Sequence, residues 1–366
     1  MFVLGLITCV VLRAFSAQAL VVDSFDECVW HFYRHTEPSG MDPDAMKICQ
    51  KLQNEEYDYT DWYSSLYYAT LYSVHHKIPL YSAYTLDPRC SIDTGGSNIW
   101  HLEPQISQPR SPIDHMVREN QNNKYLYKRN QAISSDYSGT GYDRGHLNPN
   151  SFQCGDGRTA TYTLTNAAPM KERFNRVHWK SWESTLRRFL KGMLDRDRAF
   201  STAYIVTGTV PDPNVRIPQR GTPGDRFRVS VPSHIWTAVC YEHDTDDRKS
   251  FSFGYIGRNH PEEPGITLMS VSDLNDQLSG LYSELSWTQQ SIEIFVDDCF
   301  GYNNKLVEVH GAFQKLINIS PGISLTDNGQ MCLYDHPCAT YGYDYYWCKT
   351  SLGYIKDDWD YCTEAQ

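Results

Sequence analysis

The stretch YDRGHLNPNSF (residues 142–152) places an arginine and a histidine on either side of one glycine, followed by a proline between two asparagines. Almost no apolar side chain is available there for burial, so the stretch is either a polar turn or a place where an anionic substrate meets a base. On an extended segment, Arg144 and His146 project from the same face. Gly145 leaves room between them for a phosphate, and Asp143 could orient the segment rather than react.

This combination of residue types suits the hydrolysis of a phosphodiester bond. Histidine is the side chain that most readily acts as a general base near neutral pH. The planar, permanently charged fork of arginine suits the non-bridging phosphate oxygens. We therefore expect His146 to activate water and Arg144 to stabilise charge on the phosphate.

A divalent cation that polarises the phosphate would need oxygen ligands. The nearby candidates are Asn166, Asn175 and Glu183. In a helix that includes both, Asn175 and Glu183 are offset by about 80°, which places them on neighbouring faces two turns apart. A helix-capping asparagine and a solvent-facing glutamate account for the same two residues without a metal, so the spacing leaves both interpretations open.

The first residues indicate a secretory signal. Residues 1–19 contain an apolar run and end in the small-residue pattern Ala17-Gln18-Ala19, which is typical of a cleavage site. No later apolar run approaches the ~18 residues of a membrane span, so we expect a secreted, extracellular mature chain. Cys9 would leave with the signal, and the remaining cysteines predict up to five disulfides. Zinc is less favoured, because no paired C-x-x-C motifs occur.

The formal net charge of −11 argues against a generic nucleic-acid coat protein. A site for a polyanion must therefore be a local basic patch. The segment 171–191 offers one, with seven basic residues against two acidic ones. A charged helix face of this kind is usually only a solvated surface, but its position shortly after the histidine motif favours a role in binding.

Secondary-structure patterns predict strands mixed with few helices, which is an α+β core. Segments rich in β-formers and bounded by turn signals predict strands over 78–86, 161–169, 203–208, 234–241 and 251–257. Pro169 is expected to end the second of these strands. Apolar residues at helical spacing predict helices over 176–194 and 271–281.

Four motifs occur in one order along the chain: DRGH (143–146), TNAAP (165–169), FNRVHWKSWE (174–183) and YIVTG (204–208). They resemble the DNA/RNA non-specific endonuclease family, and residues 67–86 are similar to its secreted endonuclease domain-containing 1 branch. The resemblance covers residues 57–300 and implies a ββα-metal nuclease fold with a central, mostly antiparallel sheet. We expect a disulfide-tied N-terminal segment before it, and a linker and a small disulfide-rich C-terminal module after it, at residues 20–56, 301–328 and 329–366.

The family pattern implies a role for each matching residue. His146 would be the general base, Arg144 the cation on the phosphate, and Asn175 the single direct ligand of Mg²⁺, with Mn²⁺ or another divalent cation as substitutes. Glu183 would hold metal-bound water, and Asn166 would help to position the base. The implied partner is the phosphate backbone of DNA and RNA, cut with little sequence preference to leave 5′-phosphates.

One departure concerns a second phosphate cation. Family members often carry an arginine just before the tryptophan that corresponds to Trp100, where this chain has SNIW with Asn98. We expect a substitute such as Arg110 or Arg176, or none. Together with the acidic charge, this keeps an alternative open: an extracellular binding or immune-recognition protein that retains a nuclease fold with weak or no catalysis.

The sequence WCKTSLGYIKDDWDYC (347–362) is similar to the closing half of a fibronectin type II module. That resemblance implies the disulfides Cys332–Cys348 and Cys338–Cys362. The tail is either a stapled stabilising cap or a ligand-binding patch built on aromatic residues, namely Tyr345, Tyr346, Trp347 and Trp359.

Overall fold

The computed structural model describes residues 21–53, 66–90, 97–197, 200–286, 291–303, 305–317, 338–349 and 359–362. The expected signal peptide and Cys332 lie outside these residues. Within them, no helix combines the length and the apolar character needed to cross a membrane.

The elements up to the candidate site are, in chain order, β1 (Val21–Val22), β2 (Met46–Lys51), β3 (Leu66–Ser73), β4 (Ile78–Thr85), β5 (His101–Leu102), α1 (Pro104–Ser107), β6 (Val117–Arg118), α2 (Asn123–Tyr127), β7 (Tyr142–His146), α3 (Gly155–Ala160) and β8 (Ala167–Lys171). A π-helical turn (Phe174–Trp179) then leads into α4 (Lys180–Asp197). The remaining elements are β9 (Ser201–Ile217), β10 (Val229–His243), β11 (Phe251–Arg258), β12 (Thr267–Met269), α5 (Val271–Ser286), α6 (Leu306–Ile317), β13 (Trp347–Lys349) and β14 (Trp359–Tyr361).

The main sheet has the strand order β1-β2-β3-β4-β9-β10-β11-β12, and every neighbouring pair is antiparallel. Its centre is the long β9–β10 hairpin, in which Ile205 pairs with Val239. The expected α+β fold with a central antiparallel sheet is therefore confirmed.

Neighbouring residues of β9 face opposite sides of this sheet, as strand geometry requires. On one side, Val206 belongs to a core cluster that includes Leu274 of α5. On the other side, Ile205 belongs to a cluster that includes Leu190 of α4 and Phe313 of α6. The sheet is thus the middle of three layers, and the layer with α4 carries the candidate site.

Most predicted elements are present. The strands expected at 78–86, 203–208, 234–241 and 251–257 fall on β4, β9, β10 and β11, and the expected helices fall on α4 with its π turn and on α5.

The strand predicted over 161–169 is wrongly placed. Leu164–Asn166 forms a 3-10 turn and β8 begins at Ala167, so Pro169 lies inside a strand instead of ending it. Proline is tolerated there because β8 pairs along one edge only, with β7, in the described sheets, and the carbonyl oxygen of Pro169 accepts a hydrogen bond from Asn259 Nδ2 at 2.9 Å. The missing N–H of the proline is therefore not needed for pairing with β7.

The regions on either side of the expected nuclease domain join the same body. From the N-terminal segment, β2 pairs with β3 and extends the main sheet. Within the expected linker at 301–328, α6 packs Phe313 against Trp182 and Phe189 of α4, with ring centroids 5.6 and 5.8 Å apart. That part of the chain is a packed helix rather than a simple linker.

Disulfides connect distant parts of the chain. They join Cys28 to Cys49, Cys90 to Cys154, Cys240 to Cys299 and Cys338 to Cys362. The last is a pair that the fibronectin resemblance implied. Cys348 is also disulfide-bonded.

Candidate active site

A β-β-α unit forms the site. β7 and β8 pair antiparallel, with His146 opposite Ala167, and the π turn and α4 follow β8 directly. A cleft of about 400 Å³ opens where these elements meet. Four of the predicted site residues line it, namely His146, Asn175, Arg176 and Glu183.

Gly145 is kept small by the protein and not by a substrate. Strand alternation turns position 145 away from the side chains of Arg144 and His146. A Cβ atom at position 145 would lie 2.3 Å from Sδ of Met170, which is fully buried. The expectation that this glycine leaves room for a phosphate is therefore wrong: it lets β7 pack closely on Met170.

His146 is held between two aromatic rings at the end of β7. Its ring centroid lies 5.1 Å from that of Trp100 and 4.7 Å from that of Tyr162. Burial, together with the positive charges of Arg144 and Arg158, lowers the pKa of His146 to about 3. The ring is therefore neutral at neutral pH. Its Nε2 atom is buried and has no hydrogen-bond partner within the described residues.

Asp143 organises the start of the helical segment. It accepts a hydrogen bond from Asn175 Nδ2 at 3.0 Å and two from Arg176, at 2.8 Å from Nε and 2.7 Å from Nη2. Because the Asn175 amide donates through its nitrogen, its carbonyl oxygen is left available as a hard ligand. Hydrogen bonding to Asp143 also raises the pKa of Arg176, so this guanidinium is charged but already paired.

Glu183 lies in the first turn of α4, and its side chain is half-buried in the cleft. Burial raises the pKa of its carboxyl group to about 8, and the nearby charge of Lys180 acts in the opposite direction. Positive charge placed next to this carboxyl group would lower its pKa. A cation in the cleft would supply that charge.

Arg144 is not among the side chains that line the cleft. Its guanidinium carbon lies 4.5 Å from the ring centroid of Trp100, and its Nη1 donates to Ser134 Oγ at 2.9 Å. Trp100 therefore contacts both Arg144 and His146, in agreement with their common face. The role of Arg144 as a phosphate ligand stays a prediction.

Asn166 does not reach the cleft either, because its side chain is fully buried. The amide oxygen accepts from Ser82 Oγ and from the Asn148 backbone N–H, both at 2.9 Å. The amide nitrogen donates to the Asn148 and Thr161 carbonyl oxygens, both at 3.0 Å. Asn166 thus fixes the backbone that follows His146, and its role in positioning the base stays a prediction.

Seven of the lining residues were not predicted as members of the site, and three of these have ionisable side chains. Arg158 comes from α3 and carries no motif that marks it, while Lys180 lies inside the basic run 171–191 without being singled out. Tyr361 comes from β14 in the tail, and no local pattern links it to a histidine more than two hundred residues earlier. Asn98 and Arg110 are not among the lining residues.

The donor set fits a hard divalent cation. An amide oxygen of Asn175 and a carboxylate of Glu183 line one cleft, and oxygen ligands with several waters are what Mg²⁺ prefers. A different group near the surface, Asp87 with Cys90 and Cys154, is no metal site, because its two sulfurs are bonded to each other.

The antiparallel hairpin, the helix after it and the histidine and asparagine at their junction define a ββα nuclease fold. The chain belongs to the DNA/RNA non-specific endonuclease family, whose family model matches residues 50–286.

Several known proteins are similar to this chain. The human endonuclease domain-containing 1 protein is 33% identical over 219 residues, and its mouse counterpart is 29% identical over 222 residues. Each alignment covers 59% of this chain but only 39% of the relative. Mitochondrial endonuclease G of Caenorhabditis elegans is 27% identical over 154 residues, 39% of this chain and 46% of the relative. A solved EndoG/EndoGI complex matches with a TM-score of 0.40 and 18% identity, over 57% of this chain and 80% of the matched chain.

Proposed function

We propose that the protein is a secreted, Mg²⁺-dependent endonuclease that hydrolyses phosphodiester bonds of DNA and RNA with little sequence preference. The observation that carries the proposal is the meeting of His146, Asn175 and Glu183 in one cleft. A neutral imidazole, whose buried Nε2 atom has no hydrogen-bond partner in the described part of the chain, lines the same space as two oxygen-bearing side chains.

His146 takes a proton from the attacking water through its ring nitrogen. Its low pKa makes it a weak base in the free protein, because a base works best when its pKa is near the working pH. Positive charge on Arg144 and Arg158 contributes to that low pKa. A bound phosphodiester anion offsets this charge and raises the pKa of His146 toward the useful range.

The cation would be held by the amide oxygen of Asn175 and, directly or through water, by the carboxylate of Glu183. When bound, Mg²⁺ (or Mn²⁺) supplies positive charge that stabilises the departing oxygen. Asp143 keeps the Asn175 amide turned so that its oxygen serves this purpose.

Contacts to the phosphate backbone come from the cations of the cleft. Arg158 lines it, and Lys180 and Arg176 line it while paired with Asp360 and Asp143. Backbone contacts carry no base information, which accounts for little sequence preference. By analogy with the family, the products carry 5′-phosphates.

The proposal is tested by incubating the purified protein with plasmid DNA and with RNA, first with Mg²⁺ and then with a chelator. We expect cleavage that is lost on chelation and nearly lost in His146→Ala and in Asn175→Ala. His310→Ala and Asn214→Ala, at exposed positions outside the cleft, serve as matched controls that keep full activity. Full activity of His146→Ala would overturn the mechanism. Binding without any cleavage by the intact protein would favour the binding-protein alternative.

A further inference from the structure

The C-terminal tail reaches the cleft. Tyr361 of β14 lines the same space as His146 and Asn175. Lys180 of α4 holds Tyr361 in this position. Its Nζ atom lies 2.7 Å from Asp360 Oδ1 and 4.3 Å from the centroid of the Tyr361 ring. The side chains of Lys180 and Asp360 are only 24% and 13% exposed, so this contact is shielded and holds the tail against the cleft wall.

One face of the tail hairpin is aromatic. In the pairing of β13 with β14, Trp347 lies opposite Tyr361 and Lys349 lies opposite Trp359. Alternate residues of a strand share a face, so Trp359 and Tyr361 lie side by side with Trp347 across from them. The ring centroids of Tyr361 and Trp359 are 5.3 Å apart, and those of Trp359 and Trp347 are 5.8 Å apart. The aromatic face therefore runs continuously from the cleft to Trp359.

This face is open where it leaves the cleft. Trp359 is 50% exposed. A hairpin that served only as a stabilising cap would turn such rings inward, because burying apolar area is what a cap contributes. The charge of Asp360 is compensated by Lys180, so a carboxylate beside the platform does not by itself repel a polyanion.

We infer that Tyr361 and Trp359 form a stacking platform for unpaired bases and that the preferred substrate is single-stranded nucleic acid. The inference rests on the proposed function, since it names the substrate class of that same cleft. Proteins that bind single strands combine cations along the backbone with aromatic rings on which bases stack. Arg158 supplies such a cation in the same cleft. In a duplex the bases are already paired and stacked, so they are not free to use the platform.

The test measures binding separately from cleavage. Fluorescence anisotropy would follow the full-length protein, in EDTA, with a labelled single-stranded DNA and with a labelled hairpin duplex that contains the same number of nucleotides. We expect Tyr361→Ala and Trp359→Ala each to weaken single-strand binding at least about five-fold, because stacking on one ring is worth about that much or more. Duplex binding should change less than two-fold. Tyr361→Phe and Trp359→Phe retain a ring and should bind as the unaltered protein does.

Tyr302→Ala is the matched control, because Tyr302 is 75% exposed and does not line the cleft. An equal loss for both strands in the alanine variants, no loss at all, or tighter binding would overturn the inference, the last because the tail would then be covering the cleft. The proposed function is judged by a separate cleavage assay with Mg²⁺. A protein that prefers single strands but does not cut them contradicts only the proposed function, and one that cuts without any strand preference contradicts only this inference.

Discussion

Asp143 of β7 and Arg176 of the π turn form a bidentate ion pair. Nε of Arg176 lies 2.8 Å from Oδ2 of Asp143, and Nη2 lies 2.7 Å from Oδ1. The same carboxylate also accepts a hydrogen bond from Nδ2 of Asn175. Asp143 therefore orients the expected metal ligand and pairs with the guanidinium of Arg176, without lining the cleft itself.

Asp143→Asn should weaken the response to Mg²⁺ more than the maximal rate. Loss of the carboxylate frees the Asn175 amide to turn, and changes to groups that orient a ligand typically cost about 10- to 100-fold in metal affinity. The measurement is the Mg²⁺ concentration at half-maximal cleavage. Glu172→Gln is the matched control, because Glu172 lies 3.6 Å from Arg176 and has no hydrogen bond to Asn175 among the described contacts. An unchanged Mg²⁺ dependence in Asp143→Asn would contradict this role.

Arg158→Ala should weaken binding to all nucleic-acid sequences by a similar factor. A side chain that contacts phosphate releases about one counterion, so the slope of log affinity against log salt should fall by about one. Equilibrium binding at several salt concentrations measures this slope. Arg248→Ala is the comparison, because Arg248 is exposed and paired with Asp246 away from the cleft. A loss confined to one sequence would point to base contact instead.

Asn166→Ala should reduce stability as well as activity. The substitution leaves buried partners such as Ser82 Oγ and the Asn148 N–H without their acceptor. Each unsatisfied buried group costs about 1–3 kcal/mol, so the free energy of unfolding should fall by about 3 kcal/mol or more. Urea denaturation measures it, with Asn214→Ala as an exposed control. A variant of normal stability with lost activity would indicate a direct catalytic role.

Stability should fall as the pH is lowered from about 6.5 toward 4, partly because of His31. This ring is buried, and burial lowers its pKa to about 4 although Nε2 bonds to the Leu66 carbonyl oxygen at 2.9 Å. Between these pH values His31 is protonated in the unfolded chain but stays neutral in the folded one. This difference lowers the free energy of unfolding at pH 4.5 by about 2 kcal/mol relative to neutral pH.

His31→Gln should reduce that acid sensitivity, because glutamine does not titrate and can still donate to the Leu66 carbonyl oxygen. Unfolding free energies at pH 7 and pH 4.5 provide the measurement. His310→Gln, at an exposed position on α6, should leave the difference between the two pH values as it was. An identical acid loss in His31→Gln would show that other groups are responsible.

Local patterns predicted what is locally determined. The strands with β-branched and aromatic residues and the amphipathic helices fell where expected, because their periodicity reflects burial on one sheet face or one helix face. The spacing of Asn175 and Glu183 left their placement in one cleft open, and only the family resemblance implied it. The strand around Pro169 was misplaced because its tolerance of proline depends on Asn259, which is distant in sequence.

The part of the site that escaped prediction depends on long-range packing. The close packing of Gly145 on Met170 depends on the pairing of β7 with β8. The side chain of Arg144 lies outside the cleft, where it contacts Trp100 and Ser134. Tyr361 reaches the cleft because Lys180 forms an ion pair with the neighbouring residue Asp360. None of these relationships has a periodic or compositional signal.

The order in which the walls of the cleft are synthesised follows from the position of Tyr361. Glu183 and Tyr361 are separated by 178 positions. At the usual rates of translation, a ribosome needs roughly 10 to 35 s to cover that distance. In each nascent chain, the residues that supply the histidine and the carboxylate of the cleft are therefore synthesised first. The aromatic residue Tyr361 is added last.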